Sequence, residues 1–157
     1  MKIALLVVGK TTDNHLQNCI AEYFKRLTHY IPFEIQIIPE LKNTKGLSCE
    51  VQREKEGELI LKSLADANEV ILLDEKGTQF TSLEFSQQIE KQLGSGKKKI
   101  VFVIGGPYGF SKDVYKTANS KISLSKMTFS HQMIRLIFVE QLYRAMTILK
   151  NEPYHHE

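Results

Sequence analysis

The last residues of the chain bring together side chains that transfer protons. The sequence ends in Asn-Glu-Pro-Tyr-His-His-Glu, so Tyr154, His155, His156 and Glu157 are neighbours. Chain ends are usually plain and frayed, which makes this concentration of titratable groups informative. Histidine beside a phenol and a carboxylate is suited to general acid–base catalysis. We expect no metal site, because the two histidines have no third ligand at a recognised spacing.

A second candidate site lies where apolar runs end in glycine or small polar residues. The stretch at 104–109 reads Ile-Gly-Gly-Pro-Tyr-Gly, and the one at 73–77 reads Leu-Asp-Glu-Lys-Gly. Parallel sheets bind ligands at the carboxyl ends of their strands, where glycine lets backbone approach the ligand. The spacing is neither a dinucleotide fingerprint nor a P-loop. The glycines alone therefore fit a tight turn at least as well as a binding loop.

A third candidate is the mixed polar and apolar segment 124–129, Leu-Ser-Lys-Met-Thr-Phe. A connector with Ser130 as the N-cap of the next helix is an equally good interpretation.

Nucleophilic catalysis has little support, because neither Cys19 nor Cys49 follows a strand and no Gly-x-Ser-x-Gly motif is present. The spacing thus favours direct transfer between bound molecules.

Hydrophobic periodicity predicts strands alternating with helices along the whole chain. The predicted strands are Lys2–Val8, Phe33–Ile38, Glu69–Leu73, Ile100–Ile104 and Ile122–Leu124. The predicted helices run from an N-cap at Asp13 to Leu27, over Cys49–Ala65, from Thr81 or Ser82 to Leu93, over Ser111–Ala118 and over His131–Leu149. This pattern indicates one α/β domain over 1–157 with a mainly parallel sheet and helices on both faces. The segment 39–48 lacks an apolar period, and we expect a surface connection there, with a mobile lid as the alternative.

The last predicted helix is apolar nearly all round, with twelve apolar residues among nineteen. Such a helix must be covered on both sides. A partner subunit is the favoured cover, and burial in the chain's own core is the alternative.

Composition excludes several classes of protein. Hydrophobic residues make up 42% and charged residues 25% of the 157-residue chain, which excludes an intrinsically disordered protein. No apolar run is long enough to span a membrane, and the two cysteines cannot form a disulfide framework, so we expect a soluble cytoplasmic protein.

The basic side chains are concentrated in the C-terminal part of the chain. Residues 97–157 hold ten basic and four acidic side chains, whereas residues 1–96 hold 11 basic and 14 acidic ones. A positive C-terminal segment could attract RNA.

Eight segments in fixed order identify a family resemblance. They are the first strand ending in Gly9, YFKR at 23–26, KEGE at 55–58, LDEKG at 73–77, IGGPYG at 104–109, LSKMTFSH at 124–131, VEQLYRA at 139–145 and the NEPYHHE tail. Together they resemble the RlmH type of SPOUT-class RNA methyltransferase over essentially the whole chain. This family methylates N3 of a pseudouridine in 23S ribosomal RNA.

The resemblance implies a fold, a cofactor and an assembly that the residue patterns did not predict. It implies a C-terminal deep trefoil knot, although knots are rare among proteins. It implies a homodimer that binds S-adenosylmethionine, with no metal and no membrane association. The implied cofactor-binding residues are Leu73, Gly105, Gly106, Leu124, Ser125, Lys126, Met127, Thr128 and Phe129.

The implied chemistry gives roles to the tail and to three basic side chains. N3 of pseudouridine is a weak nucleophile until its proton leaves, so a base is required. His155 is the candidate base, with Tyr154 or Glu157 orienting it, and His131 and Glu140 are alternatives. The RNA-binding candidates are Arg135, Arg144 and His156, with the Lys97–Lys99 cluster as a further source of phosphate contacts. His156 stands where we expect an arginine in this family, which predicts a weaker, more pH-dependent contact.

Two other functions fit the residue patterns. A flavodoxin-like nucleotide-binding module would bind flavin in preference to S-adenosylmethionine. A non-catalytic ribosome-associated factor would bind ribosomes and transfer no methyl group.

Overall fold

Two almost wholly apolar strands form the centre of the sheet. The computed structural model describes residues 1–156, in which β1 spans Lys2–Val8 and β4 follows at Lys99–Ile104. Alternate residues of β1 enter two different cores, with Ile3, Leu5 and Val7 on one face and the intervening residues on the other. Both faces of these strands are therefore covered, as their continuous apolar character predicts.

The sheet has five strands, and every neighbouring pair is parallel. The remaining strands are β2 at Phe33–Ile38, β3 at Glu69–Gln79 and β5 at Ser120–Ser123. Their order is β2-β1-β4-β3-β5, which places β2 at one edge. The mixed polar and apolar sequence of β2 is typical of such an exposed position, and Ile37 is 48% exposed.

Helices cover both faces of the sheet, as predicted. One layer contains α1 (Asn14–Leu27), α3 (Ser82–Leu93) and α5 (Met133–Leu149), and the other contains α2 (Cys49–Ser63) and α4 (Lys112–Thr117). The predicted N-cap Asp13 accepts a hydrogen bond from the Leu16 amide, and Thr81 forms a capping box with Glu84. Side chains read directly from the sequence thus fix where these helices begin.

Several element boundaries differ from the predictions, those of α2, α4 and β4 by only one or two residues. Strand β3 continues six residues beyond Leu73, and β5 is Ser120–Ser123 instead of Ile122–Leu124. The last helix begins at Met133, two residues after His131. The N-cap is Gln132 and not the predicted Ser130, although the Ser130 hydroxyl accepts a hydrogen bond from the Met133 amide.

Helix α5 packs between α1 and α3 on one face of the sheet. Phe138, Val139 and Leu142 are fully buried there, so the chain's own core covers one side of the helix. The opposite side is less covered, and Met133 is 40% exposed. The predicted cover by a partner subunit remains a prediction. None of the helices in residues 1–156 combines the length and apolarity needed to cross a membrane.

Candidate active site

A cavity of about 650 Å³ opens at the carboxyl ends of β4 and β5, beside residues 73–76 of β3. Three loops that are far apart in the sequence form its wall, and they are the three that the sequence singled out. The predicted residues that line it are Leu73, Gly105, Gly106, Leu124, Ser125, Met127, Thr128 and Phe129. Lys126 is exposed and does not line the cavity. The volume lies within the range of about 300–1,000 Å³ that is typical of small-molecule pockets.

The first loop is an irregularity within β3. Ile122 of β5 pairs with Leu73 and again with Thr78, so residues 74–77 bulge out between the two pairings. Asp74 stabilises the bulge by accepting hydrogen bonds from the Lys76 amide at 2.8 Å and from the Tyr115 hydroxyl. Burial and the hydrogen bond to Asp74 raise the pKa of Tyr115 to about 12, so its phenol stays protonated.

Gly77 makes this bulge possible. A Cβ atom at this position would lie 2.7 Å from the backbone nitrogen of Ile122, closer than real side chains approach. We expect Gly77→Ala to lower the free energy of unfolding by about 1–3 kcal/mol, measured by urea denaturation. Gly94→Ala is the matched control, because its nearest neighbour would be 3.7 Å away. Equal stability of the two variants would contradict this interpretation.

Glycine residues determine the shape of the second loop, residues 104–110. Gly109 has φ +77°, and its amide donates to the Gly106 carbonyl at 3.1 Å. A side chain at Gly106 would overlap the carboxyl group of Glu56. Glu56 belongs to α2, is only 4% exposed, and its Oε1 atom has no hydrogen-bond partner within residues 1–156. Burial raises the pKa of the Glu56 carboxyl above its ordinary value.

This buried carboxyl gives the fold a pH dependence. A raised pKa in the folded state means that the free energy of unfolding decreases as pH rises from about 4.5, the ordinary value, through the raised one. Glu56→Gln removes the charge, so we expect it to be more stable than the wild type by about 1 kcal/mol at pH 8. The difference should shrink toward pH 4. Exposed Glu58→Gln is the control, and a gain that is independent of pH would contradict the assignment.

Arg135 is buried, which corrects the expectation that it contacts RNA. Its side chain is 2% exposed and donates to the backbone carbonyls of Val8 at 2.8 Å and Gly9 at 2.9 Å, and also to the Thr11 hydroxyl. Burial lowers its pKa, yet these acceptors offset much of the desolvation. Arg135 therefore ties α5 to the end of β1 and presents no surface for phosphate.

The tail lies on its own chain, away from the cavity. The Tyr154 hydroxyl donates to Glu140 at 2.9 Å and lies 3.3 Å from the Tyr23 hydroxyl. Arg144 contacts Glu140 at 2.6 Å and His155 Nδ1 at 3.2 Å. His156 is exposed, and Glu157 lies outside the described residues.

The tail residues therefore form a hydrogen-bonded cluster with α5. Burial, together with hydrogen bonds to Tyr23 and Glu140, raises the pKa of Tyr154 well above its ordinary value. Tyr154 is thus a hydrogen-bond donor at physiological pH. His131, the other predicted alternative, lines the cavity, whereas Glu140 belongs to the tail cluster.

The Lys97–Lys99 cluster lies at the amino ends of the strands, on the side of the sheet away from the cavity. Lys99 begins β4, about 16 Å along the strand from Ile104 at the cavity. Lys97 forms an ion pair with Glu69, and Lys99 forms one with Asp66 at 2.9 Å. These acidic partners and this distance separate the cluster from the site.

Sequence reasoning missed one charged residue of the cavity wall, Arg53 of α2. No spacing in the sequence connects α2 with the glycine loop, so only the fold brings them together.

Within residues 1–156, no group of three or more His, Cys, Asp or Glu side chains is arranged to hold a metal ion.

Comparison with known proteins assigns the family. A family model described as predicted SPOUT methyltransferase matches residues 1–155. The chain belongs to the SPOUT methyltransferase family. It is 64% identical to the ribosomal RNA large subunit methyltransferase H of Parabacteroides distasonis and 61% identical to that of Phocaeicola vulgatus, over 100% of each chain.

A solved structure independently matches the SPOUT fold. A probable methyltransferase from Bordetella pertussis superposes with a TM-score of 0.56 at 9% identity, covering 92% of this chain and 95% of that one. The family assignment decides against the flavodoxin-like alternative. The family also implies that the protein uses a methyl donor.

Proposed function

We propose that this protein transfers a methyl group from S-adenosylmethionine to N3 of a pseudouridine in 23S ribosomal RNA. The supporting observation is the cavity formed by the loops at 73–76, 104–110 and 124–131 in a chain of the SPOUT family. The names of its full-length relatives support ribosomal RNA of the large subunit as the substrate. A ribosomal substrate supports a cytoplasmic location, which is part of this proposal.

The cavity suits S-adenosylmethionine. Leu73, Ile104 and Leu124 give it apolar walls on which an adenine ring can pack, and the backbone at Gly105 and Gly106 admits close approach. The Ser125 hydroxyl accepts a hydrogen bond from the Met127 amide at 2.9 Å, and Thr128 donates to Glu75 at 2.7 Å. The third loop is thus shaped before any ligand arrives.

The tail supplies the proton transfer in this proposal. When bound, S-adenosylmethionine offers an electrophilic sulfonium methyl group. His155 would accept the N3 proton of the nucleotide as the bond from N3 to the methyl carbon forms and the bond from that carbon to sulfur breaks, which leaves S-adenosylhomocysteine. Tyr154 and Arg144 orient His155 through the cluster with Glu140. Arg144 and exposed His156 are also the proposed RNA contacts, and Glu157 remains a proposed orienting group.

We also propose that each cavity is completed by the tail of a second subunit. Glu140 and Arg144, which hold the tail, lie about 9–15 Å along α5 from Ile134 at the cavity. A tail held there is too far from its own cavity to act in it. A homodimer formed on the exposed side of α5 would bring one tail to the other cavity. We propose in addition that the C-terminal segment forms the deep trefoil knot that the resemblance implies.

Transfer of tritiated methyl from S-adenosylmethionine tests the proposed function. Ribosomes that lack the modification should incorporate one methyl group per 23S RNA, at N3 of a pseudouridine. Ribosomes that already carry it should incorporate none. Binding to ribosomes without transfer would support a non-catalytic factor and contradict the proposal.

A further inference from the structure

Arg53 is a cation on the cavity wall that forms no ion pair with residues 1–156. It lines the cavity from α2 and is half-buried. Its Nε atom is buried and has no hydrogen-bond partner within residues 1–156, and no carboxylate of that part of the chain forms an ion pair with it. A buried donor without a partner is costly, which indicates that an acceptor belongs there.

The two acidic residues that line the cavity, Asp74 and Glu75, already accept hydrogen bonds. Asp74 accepts from Tyr115 and from the Lys76 amide, and Glu75 accepts from the Thr128 hydroxyl. These contacts stabilise the cavity wall and leave the Arg53 guanidinium for something that enters the cavity. The guanidinium presents a rigid fork of donors that matches the two oxygens of a carboxylate.

We propose that Arg53 binds the α-carboxylate of the methionyl part of the methyl donor. This inference rests on the proposed function, since it assumes that S-adenosylmethionine occupies the cavity. The carboxylate is the only anionic group of this donor. Arg53 then acts as a specificity residue, which distinguishes S-adenosylmethionine and S-adenosylhomocysteine from adenosine derivatives that lack the amino-acid part.

A phosphate of the RNA is the alternative anion, and the position of Arg53 disfavours it. RNA phosphates are contacted by side chains that extend from the surface, whereas the Arg53 Nε atom is buried. Lys76 is exposed at the rim of the same cavity and is better placed for such a contact.

The test compares two ligands that differ in the carboxylate-bearing part. Calorimetry measures the affinity of the full chain for S-adenosylhomocysteine and for 5′-methylthioadenosine, in the wild type and in Arg53→Gln. We expect Arg53→Gln to bind S-adenosylhomocysteine about 10- to 100-fold more weakly and 5′-methylthioadenosine equally well. Arg53→Lys, which keeps the charge and loses the fork, should lie between the two. Exposed Lys55→Gln, on the same helix, should bind both ligands like the wild type.

The other possible results of this calorimetry would contradict either the role of Arg53 or the proposed function. Equal loss of affinity for both ligands would overturn the inference, because Arg53 would then act on the shape of the cavity. Unchanged affinity for both would also overturn it, and a raised KM for ribosomes in that variant would assign Arg53 to RNA. Failure of the wild type to bind S-adenosylhomocysteine would contradict the proposed function itself, which separates the two failures.

Discussion

Replacing His155 with alanine should slow single-turnover methylation of ribosomes by about 10²- to 10⁴-fold, the usual contribution of a general base. The affinity for S-adenosylhomocysteine should not change, because the tail does not line the cavity of its own chain. Rapid-quench assays with saturating enzyme measure the rate, and calorimetry measures the affinity.

The control for His155→Ala is His15→Ala, an exposed histidine on α1. It should methylate at the wild-type rate. A His155 variant with an unchanged single-turnover rate would remove His155 from the mechanism. Loss of cofactor affinity together with the rate would instead show that the tail acts by shaping the cavity.

Mixing two inactive variants should restore activity if the tail of one subunit serves the cavity of the other. Thr128→Trp fills the cavity from an exposed position of its wall, and His155→Ala removes the base. Each homodimer should lose activity by more than about 100-fold. After the subunits exchange at random, half of the dimers are mixed, and each mixed dimer has one intact cavity that faces an intact tail. The mixture should therefore regain about a quarter of the wild-type activity.

The two arrangements of the tail give opposite results in this experiment. If each tail served its own cavity, no mixed dimer would contain a complete site, and the mixture would stay inactive. Subunit exchange is checked by mass spectrometry with one isotopically labelled variant. Inactivity after confirmed exchange would contradict the shared site.

Local signals were sufficient to predict most of the fold. The apolar runs of β1 and β4 and the caps at Asp13 and Thr81 depend on neighbouring residues alone, and the structure has them where predicted. The continuation of β3 could not be predicted in this way. Asp-Glu-Lys-Gly reads as a loop, and the strand continues past it only because Leu73 and Thr78, on either side, both pair with Ile122 of β5.

The candidate site was predictable in part for the same reason. Strand ends with glycine and small polar residues mark the three loops, because parallel strands bring such ends to one edge. Arg135 was misassigned, since an arginine on a helix is usually exposed, and its acceptors at Val8 and Gly9 are far away in the sequence. Arg53 was missed, because α2 approaches the glycine loop only in the folded chain.

A crystal structure of the protein with S-adenosylhomocysteine would show directly whether the cavity holds the methyl donor. We expect ligand density between the loops at 73–76, 104–110 and 124–131, with the homocysteine carboxylate at Arg53. Density elsewhere on the molecule, or loops that close on each other and leave the ligand unbound, would contradict it.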